Sequence, residues 1–574
     1  MKTILRYLRP YIPRMSLGLA IKIGGTMAEL LIPYILSHIL KEVIVTQDIR
    51  QVIFWGVMMM VCSGIACLMN IIANRMAARV SRNFSEHLRR DLFHKMLHLS
   101  AAQTDRFTIP SLESRITSDT YHLHHFINMM QRMGVRAPIM LVGGIAITLL
   151  MDPFLSLSML AILPFIFVTV YFFSKKGIPM FRKVQTAVDR MTRVVREDVM
   201  GIRVIKALSK TAYESRRYDQ VNADLAKDEQ KAGLTTGAIN PIMTFLMNGG
   251  IALVISMAAF RVAGHRSDPE TVVAFMQYFT QISMAMMTIS RIFVMYTRSA
   301  ASAGRIGEVL NIPSDMPLMS EADCPSKETD AHIEFEQVSF SYLGKKNDLE
   351  NIDFALPRGG SLGIIGATGS GKSTFIKLLT RFYDATEGKI FINGRDIRTI
   401  PDEELRPMFG VAQQQDFVYA ETVEDNIRFG RDLSAEQIRT AAKIAQANDF
   451  ITAFPEGYAH PLSAKGTNVS GGQRQRILIA RAVAASPEIL VLDDSSSALD
   501  YRTDANLRKA LKEQAAGTTL ITVAQRVSTI KDCDLILVLE QGRIIGRGTH
   551  EELLASCPEY KEISDSQMGG AFVE

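Results

Sequence analysis

The chain has 574 residues, a formal net charge of +5 and 47% hydrophobic residues, with a mean hydropathy of +0.10. That length exceeds one core, so at least two domains are expected. The mild charge gives no electrostatic case for nucleic-acid binding, and the five cysteines (Cys62, Cys67, Cys324, Cys533, Cys557) show no metal-ligand spacing.

The hydrophobicity is concentrated in the first 300 residues. Lys2, Arg6, Arg9 and Arg14 precede a long apolar segment without a small-residue cleavage site, so a retained first span is expected. Six segments, near 16–40, 52–76, 127–150, 154–174, 239–262 and 270–296, reach the roughly 20 apolar residues that a bilayer crossing requires. The links near 41–51, 151–153 and 263–269 are short. Those near 77–126 and 175–238 are long and basic, with Arg79, Arg82, Arg89, Arg90 and Lys95 in one, and Lys175, Lys176, Arg182, Lys183, Arg190, Arg193 and Arg196 in the other. The positive-inside rule places both long links and both termini in the cytoplasm. Their helical pattern predicts membrane helices that continue beyond the bilayer, with a short turn at each far end. Pro33 and Pro164 are expected to mark bends. The spans are rich in Met (Met58, Met59, Met60, Met129, Met130, Met133, Met284, Met286, Met287). Thioethers repack readily around varied apolar surfaces, so this is either ordinary packing or a hydrophobic substrate cavity. Arg136 and Arg291 fall at or near membrane depth, where a charge faces a cavity, a partner or the interface; Arg136 is a candidate substrate contact.

Residues 311–331 are polar and contain Pro, and read as a linker between domains at 1–310 and 332–574. His332–Val338 alternates like a strand. The strand-like run Leu362–Ile365 feeds Gly366-Ala-Thr-Gly-Ser-Gly-Lys-Ser373, a phosphate loop. Its glycines let backbone N–H groups turn toward phosphate oxygens, and a helix from Lys372 adds its N-terminal dipole. The expected nucleotide contacts are Gly366, Thr368, Gly369, Ser370, Gly371, Lys372, Ser373 and Thr374, with Lys372 on the β- and γ-phosphates and Ser373 on Mg²⁺. Ile489–Asp493 is a buried strand ending in a carboxylate suited to Mg²⁺, and Asp494 follows it.

Val469-Ser470-Gly471-Gly472-Gln473, lying between that phosphate loop and Asp493, resembles the signature of ATP-binding cassette (ABC) proteins, and it opens a helix expected from Arg474 to Ala485. Leu112–Asp119 resembles the "G-x-L-x-S-R-x-x-x-D" element of the first intracellular loop of ABC exporters, without its Gly; Glu197–Lys206 resembles the "E-x-x-x-G-I-R-V-V-K" of the second. The resemblance covers nearly the whole chain. It implies an α-helical transmembrane bundle of six spans with long cytoplasmic extensions, followed by an α/β P-loop ATP-binding cassette domain. It also implies that Tyr342 stacks on adenine, that Gln414 contacts Mg²⁺ and the water's surroundings, and that Ser470, Gly471, Gly472 and Gln473 bind ATP held by another subunit. Ser497-Ala-Leu-Asp500 matches the family's dimer-contacting loop, whereas His460–Ala464 departs from the family's "T-E-V-G-E".

Two catalytic positions also depart: Asp494 stands where the family has Glu, and Gln525 where it has His. Asp is one methylene shorter, and Gln cannot become a cation. The chain therefore resembles the degenerate-site subunit of bacterial heterodimeric ABC exporters of the multidrug type. The expected ligands are ATP and Mg²⁺. The expected partners are a second, non-identical half-transporter, the lipid bilayer and a small hydrophobic or peptide-like substrate. The expected location is the inner (plasma) membrane, multi-pass, with the nucleotide domain in the cytoplasm. Two other readings stand beside this one: a homodimeric lipid or peptide exporter with its own slow ATPase, and a membrane ATP-sensing regulator.

Overall fold

The computed structural model describes residues 2–264, 269–414, 417–495, 497–514 and 517–568. They form two compact units: Met1–His98 with Thr108–Ile312, and Leu99–Phe107 with Pro313–Glu574.

The first unit is helical. Among the described residues, six helical stretches are long and apolar enough to cross a membrane: Ile4–Thr46, Ile49–Leu97, Ile109–Met151, Pro153–Met200, Thr211–Ala263 and Glu270–Leu310. Each contains one predicted span. The second, third, fourth and fifth run on as the expected cytoplasmic extensions. Part of the predicted link at 263–269 lies outside the described residues. Turns are set by capping: the Asp48 carboxylate accepts from Arg50 N, and that of Asp152 accepts from Phe154 N and Leu155 N ahead of Pro153. Close helix approach rests on small residues. A Cβ at Gly250 would meet Phe279 at 2.4 Å, and one at Gly144 would meet Ile282 at 2.9 Å. The buried Tyr278 hydroxyl donates to Leu30 O at 2.6 Å.

Two sequence expectations need correction here. Pro33 does lie inside a helix, Ile12–His38, but Pro164 opens the helix Leu163–Met200, where its missing N–H costs nothing. The Leu112–Asp119 element, expected within a turn running from Phe107 to Asp119, is not a turn. It is helical and follows the break that holds the short helix Ala101–Phe107. Its polar residues face the last helix of the same unit. Arg115 donates to Arg305 O at 2.6 Å and pairs with Glu308 at 3.0 Å. Asp119 accepts from Ser302 Oγ and Arg305 Nε, both at 2.8 Å. The Glu197–Lys206 element does fall at a turn: one helix ends at Met200, another covers Ile202–Ala207, and Arg217 reaches back to Glu197 at 2.6 Å.

The second unit holds two sheets. One is antiparallel, in order β2-β1-β4-β5, from β1 (Ala331–Phe340), β2 (Leu349–Pro357), β4 (Glu387–Ile392) and β5 (Arg395–Asp396). The other runs β10-β9-β3-β8-β7-β6, from β3 (Ser361–Ile365), β6 (Phe409–Ala412), β7 (Ile489–Asp493), β8 (Thr519–Val523), β9 (Leu535–Glu540) and β10 (Arg543–Gly548). Phe335 joins the two layers, stacking on Phe375 of the helix Lys372–Leu379 with ring centroids 4.7 Å apart. Strands β6, β7, β8 and β3 are mutually parallel. Parallel strands end on one edge of a sheet, which is where open α/β folds bind ligands.

The segment Leu99–Phe107 belongs to this unit through specific bonds. Tyr383 Oη donates to Asp105 Oδ2 at 2.6 Å, Gln103 Nε2 to Pro313 O at 2.7 Å, and Ser100 Oγ to Asp315 Oδ2 at 2.9 Å. Tyr383→Phe deletes one hydroxyl, a bond worth about 0.5–1.5 kcal/mol, so amides of Ala101–Phe107 should exchange roughly two- to tenfold faster. Hydrogen–deuterium exchange of the full chain measures this, with β3 as the unchanged reference. Unaltered exchange would mean that Gln103 and Ser100 hold the segment without Tyr383.

Candidate functional site

Four parallel strands deliver the site. The loop after β3 carries Gly366–Ser373, the end of β7 carries Asp493 and Asp494, Gln525 follows β8, and Gln414 follows β6. These residues come from four well-separated stretches of sequence, and the shared strand direction brings them to one edge.

The phosphate loop is sterically specified. Gly369 and Gly371 have φ of 83° and 105°, in the region that favours glycine. A Cβ at Gly366 would lie 2.2 Å from Leu539 O. The loop feeds the helix Lys372–Leu379, so free N–H groups point at one concave spot. Lys372 Nζ donates to the loop's own carbonyls, Gly366 O at 2.7 Å and Ala367 O at 2.8 Å. Burial lowers its pKa, against the attraction of Asp494 and Asp493. The Ser370 hydroxyl is buried without a hydrogen-bond partner among the described residues. Ser373 and Thr368 are exposed, and Thr374 accepts from Tyr342 Oη at 3.3 Å. A cradle of N–H groups, one ammonium and an unsatisfied hydroxyl fits a nucleotide's phosphates.

Tyr342 is edge-on to Phe340 and Tyr383, at 4.8 and 5.1 Å between centroids, with Lys377 Nζ 5.3 Å from its ring centre. Its ring is 39% exposed, enough to offer a stacking surface beside the phosphate loop.

The acidic pair is buried. Burial and the charge of Asp494 push Asp493 up to about 6, with Lys372 and Lys377 pulling the other way. Burial raises Asp494 too, against hydrogen bonds and the Lys372 charge. Those bonds converge on one atom: Asp494 Oδ2 accepts from Gln525 Nε2 at 2.9 Å and from Gln414 Nε2 at 3.0 Å. The Asp494 backbone is left-handed, with φ of 48°. It is pinned by Asp494 N to Val523 O at 2.9 Å and by Ser497 Oγ to Asp494 O at 2.8 Å. Nothing in the sequence pattern signalled this backbone. Ser373, Gln414 and Asp493 supply the hydroxyl, amide and carboxylate oxygens that could hold Mg²⁺ beside a bound nucleotide.

The signature forms a separate helix N-terminus. That helix covers Gly471–Val483, beginning three residues before the expected start at Arg474. Ser470 is its N-cap in a reciprocal box: Gln473 N donates to Ser470 Oγ at 3.2 Å, and Ser470 N to Gln473 Oε1 at 2.9 Å. The Ser470 proton remains free to donate outward. Gly472 packs under the loop after β7, where a Cβ would sit 3.1 Å from Ala498 O, whereas a Cβ at Gly471 would meet nothing within 4 Å.

Residues 15–286 match the family pattern described as "ABC transporter transmembrane region", and residues 349–497 match that of "ABC transporter". The chain is 34% identical over 571 residues to the uncharacterized ABC transporter ATP-binding protein YfiB of Bacillus subtilis, covering 99% of each. It is 31% identical over 573 residues to Rv1273c of Mycobacterium tuberculosis, described in the same words, covering 99% of this chain and 98% of that one. The solved structure of a bacterial Atm1-family ABC exporter with ATP bound superposes with a TM-score of 0.81 over 99% of both chains at 24% identity, a likeness of fold.

Lys372→Ala removes the one ammonium that closes on the phosphate loop. Affinity for a fluorescent ATP analogue should fall at least about tenfold, the loss of one charge-assisted contact. The thermal midpoint should stay in place, because Lys372 bonds only to loop carbonyls. Unchanged affinity would remove the loop from the binding site.

Proposed function

The chain belongs to the ABC transporter family, and on that premise we infer that it is the weak-site half of a heterodimeric, ATP-driven exporter. Membership makes it a multi-pass inner-membrane protein that binds ATP on a cytoplasmic domain and dimerises with another ABC subunit. The proposed cargo is hydrophobic or amphipathic.

The carrying observation is the Asp494 oxygen clamped between two amide donors. A general base must reach a water and take its proton. Asp494 is a methylene shorter than Glu, and its Oδ2 is already engaged by Gln414 and Gln525. Gln525 donates a hydrogen bond but cannot carry positive charge to a γ-phosphate. ATP at this site would be held by the loop N–H groups, with Lys372 moving from Gly366 O and Ala367 O to the phosphates and Tyr342 against adenine. Ser373, Gln414 and Asp493 would hold Mg²⁺, which offsets phosphate charge when bound. Ser470 and Gly471 would serve the partner's ATP instead. The open space at Gly471 supports that assignment, since no atom of this chain requires a glycine there. Two bound ATP would close the nucleotide dimer, hydrolysis at the partner's site would reopen it, and the intracellular elements at Leu112–Asp119 and Glu197–Lys206 would carry that motion to the spans.

The expected outcome is little ATPase activity from this chain alone, restored by a second half-transporter with Glu after its own strand-end Asp. In the assembled pair, Ser470→Arg or Gly471→Glu should nearly abolish turnover while this chain's loop still photolabels with an ATP analogue. Preorganised donors of that kind are each worth about 2.7–4 kcal/mol. Asp494→Asn should change steady-state turnover less than about threefold, because little proton transfer is assigned to it. A hundredfold loss there, or robust turnover by a verified homodimer, would replace the asymmetric reading with an active homodimer.

A further inference from the structure

The membrane unit contains a group of charges that the ATP chemistry does not use. Lys22, on the helix Ile12–His38, is buried, and its Nζ donates to Asn70 Oδ1 at 2.6 Å and Asn74 Oδ1 at 3.2 Å. Those acceptors are neutral, so neither is a counter-ion to the ammonium. One helix over, Arg136 Nε donates to Glu29 Oε2 at 3.2 Å, and its Nη2 pairs with the other oxygen of the same carboxylate. Arg132 carries no ion pair among the described residues. Arg132 ends the helix Thr120–Arg132, one turn before Arg136 in the chain, so three basic side chains gather near one carboxylate, with Lys22 and Arg136 on largely apolar helices. Such an excess is costly at membrane depth unless an anion joins it.

A cavity adjoins this group. It encloses about 200 Å³ and is lined by Met133, Arg136, Met140, Gln281, Met284 and Thr288, among others. Arg136 thus belongs to both the charge group and the cavity. Its guanidinium has five N–H donors, and the Glu29 contacts use two, leaving donors for a second anion. Gln281 Oε1 is buried and has no hydrogen-bond donor among the described residues. Met284 and Met133 are 56% and 42% exposed and form an adaptable apolar lip. Sites that enclose a whole drug-sized ligand hold about 300–1,000 Å³, so this cavity suits a head group and the first part of its tail.

We propose that this cavity binds an anionic amphipath. Its carboxylate, sulfate or phosphate head lies on the free donors of Arg136, within the field of Arg132 and Lys22. A hydroxyl or N–H beside that head donates to Gln281 Oε1. The apolar body runs over Met133, Met140 and Met284. This names the charge class of the cargo, and so it rests on the export reading above. The alternation of spans places Lys22, Arg132 and Arg136 in the cytoplasmic half of the membrane, so the ligand enters from the inner leaflet or the cytoplasm.

The test uses the full chain in phosphatidylcholine nanodiscs without ATP, titrated with a fluorescent fatty acid and with its trimethylammonium-headed analogue. The carboxylate probe should bind at least about tenfold tighter than the cation, the scale of one charge-assisted contact. Arg132→Gln, which breaks no bond in the fold, should weaken the carboxylate probe severalfold. Glu29→Gln removes the competing carboxylate and should tighten it, a gain that misfolding cannot imitate. Equal affinity for the two probes, or a Glu29→Gln variant that binds no tighter, would overturn the assignment. Discs containing phosphatidylglycerol separate the sources: displacement of the probe assigns the site to a lipid head group, and persistence assigns it to a free amphipath. Probe that binds but is not carried into vesicles by the ATP-driven pair would defeat the export reading and leave the site standing. Failure of binding while the pair transports a neutral compound would defeat only the site.

Discussion

A peptide group in hydrocarbon has no water to bond with, and this constraint shapes the first 310 residues. Every backbone N–H must find a carbonyl within its own segment, so the spans are largely helical, with short breaks at Gln47–Asp48, Met133–Val135, Asp152, Ala161–Ile162 and in the cytoplasmic turns. The same scarcity of partners governs side chains. Tyr278 finds a backbone carbonyl, Lys22 finds two asparagines, and Arg136 finds Glu29. Several buried polar groups of the bundle thus find specific partners, and basic side chains gathered beside Gln281, whose Oε1 has no partner among the described residues, are informative.

In the nucleotide unit the corresponding constraint is strand direction. Four parallel strands end at one edge, so groups contributed by their following loops converge without any loop having to cross the sheet. The acid at the end of β7 occupies a left-handed backbone turn. Asp and Asn tolerate that conformation better than most residues, because a short polar side chain can bond locally. An aspartate at position 494 thus suits its backbone, and the paired glutamine amides hold its Oδ2 in place.

Much of this was legible in the residues. Hydropathy and basic links gave six spans and their sidedness, because transfer out of water depends on local composition. The phosphate loop was legible because its glycines answer to local stereochemistry, a positive φ at Gly369 and Gly371 and a close carbonyl at Gly366. The start of the signature helix was missed by three residues. Two consecutive glycines look like a loop, and only the Ser470–Gln473 cap shows them to be helical. Leu112–Asp119 looked like a turn because its polar residues gave no sign of their partners on a helix nearly two hundred positions later.

The sequence by itself determined most element types, the membrane class and the stereochemistry of the Gly366–Ser373 loop, since these depend on neighbours within a few positions. Tertiary structure alone decided that Gln414 and Gln525, 111 residues apart, share one oxygen of Asp494. It also decided that residues 99–107 pack with the nucleotide unit through Tyr383, and that Arg136 divides its donors between Glu29 and an open cavity. Each of those contacts joins residues far apart in the chain. Their geometry follows from how helices and strands pack, which no local pattern encodes.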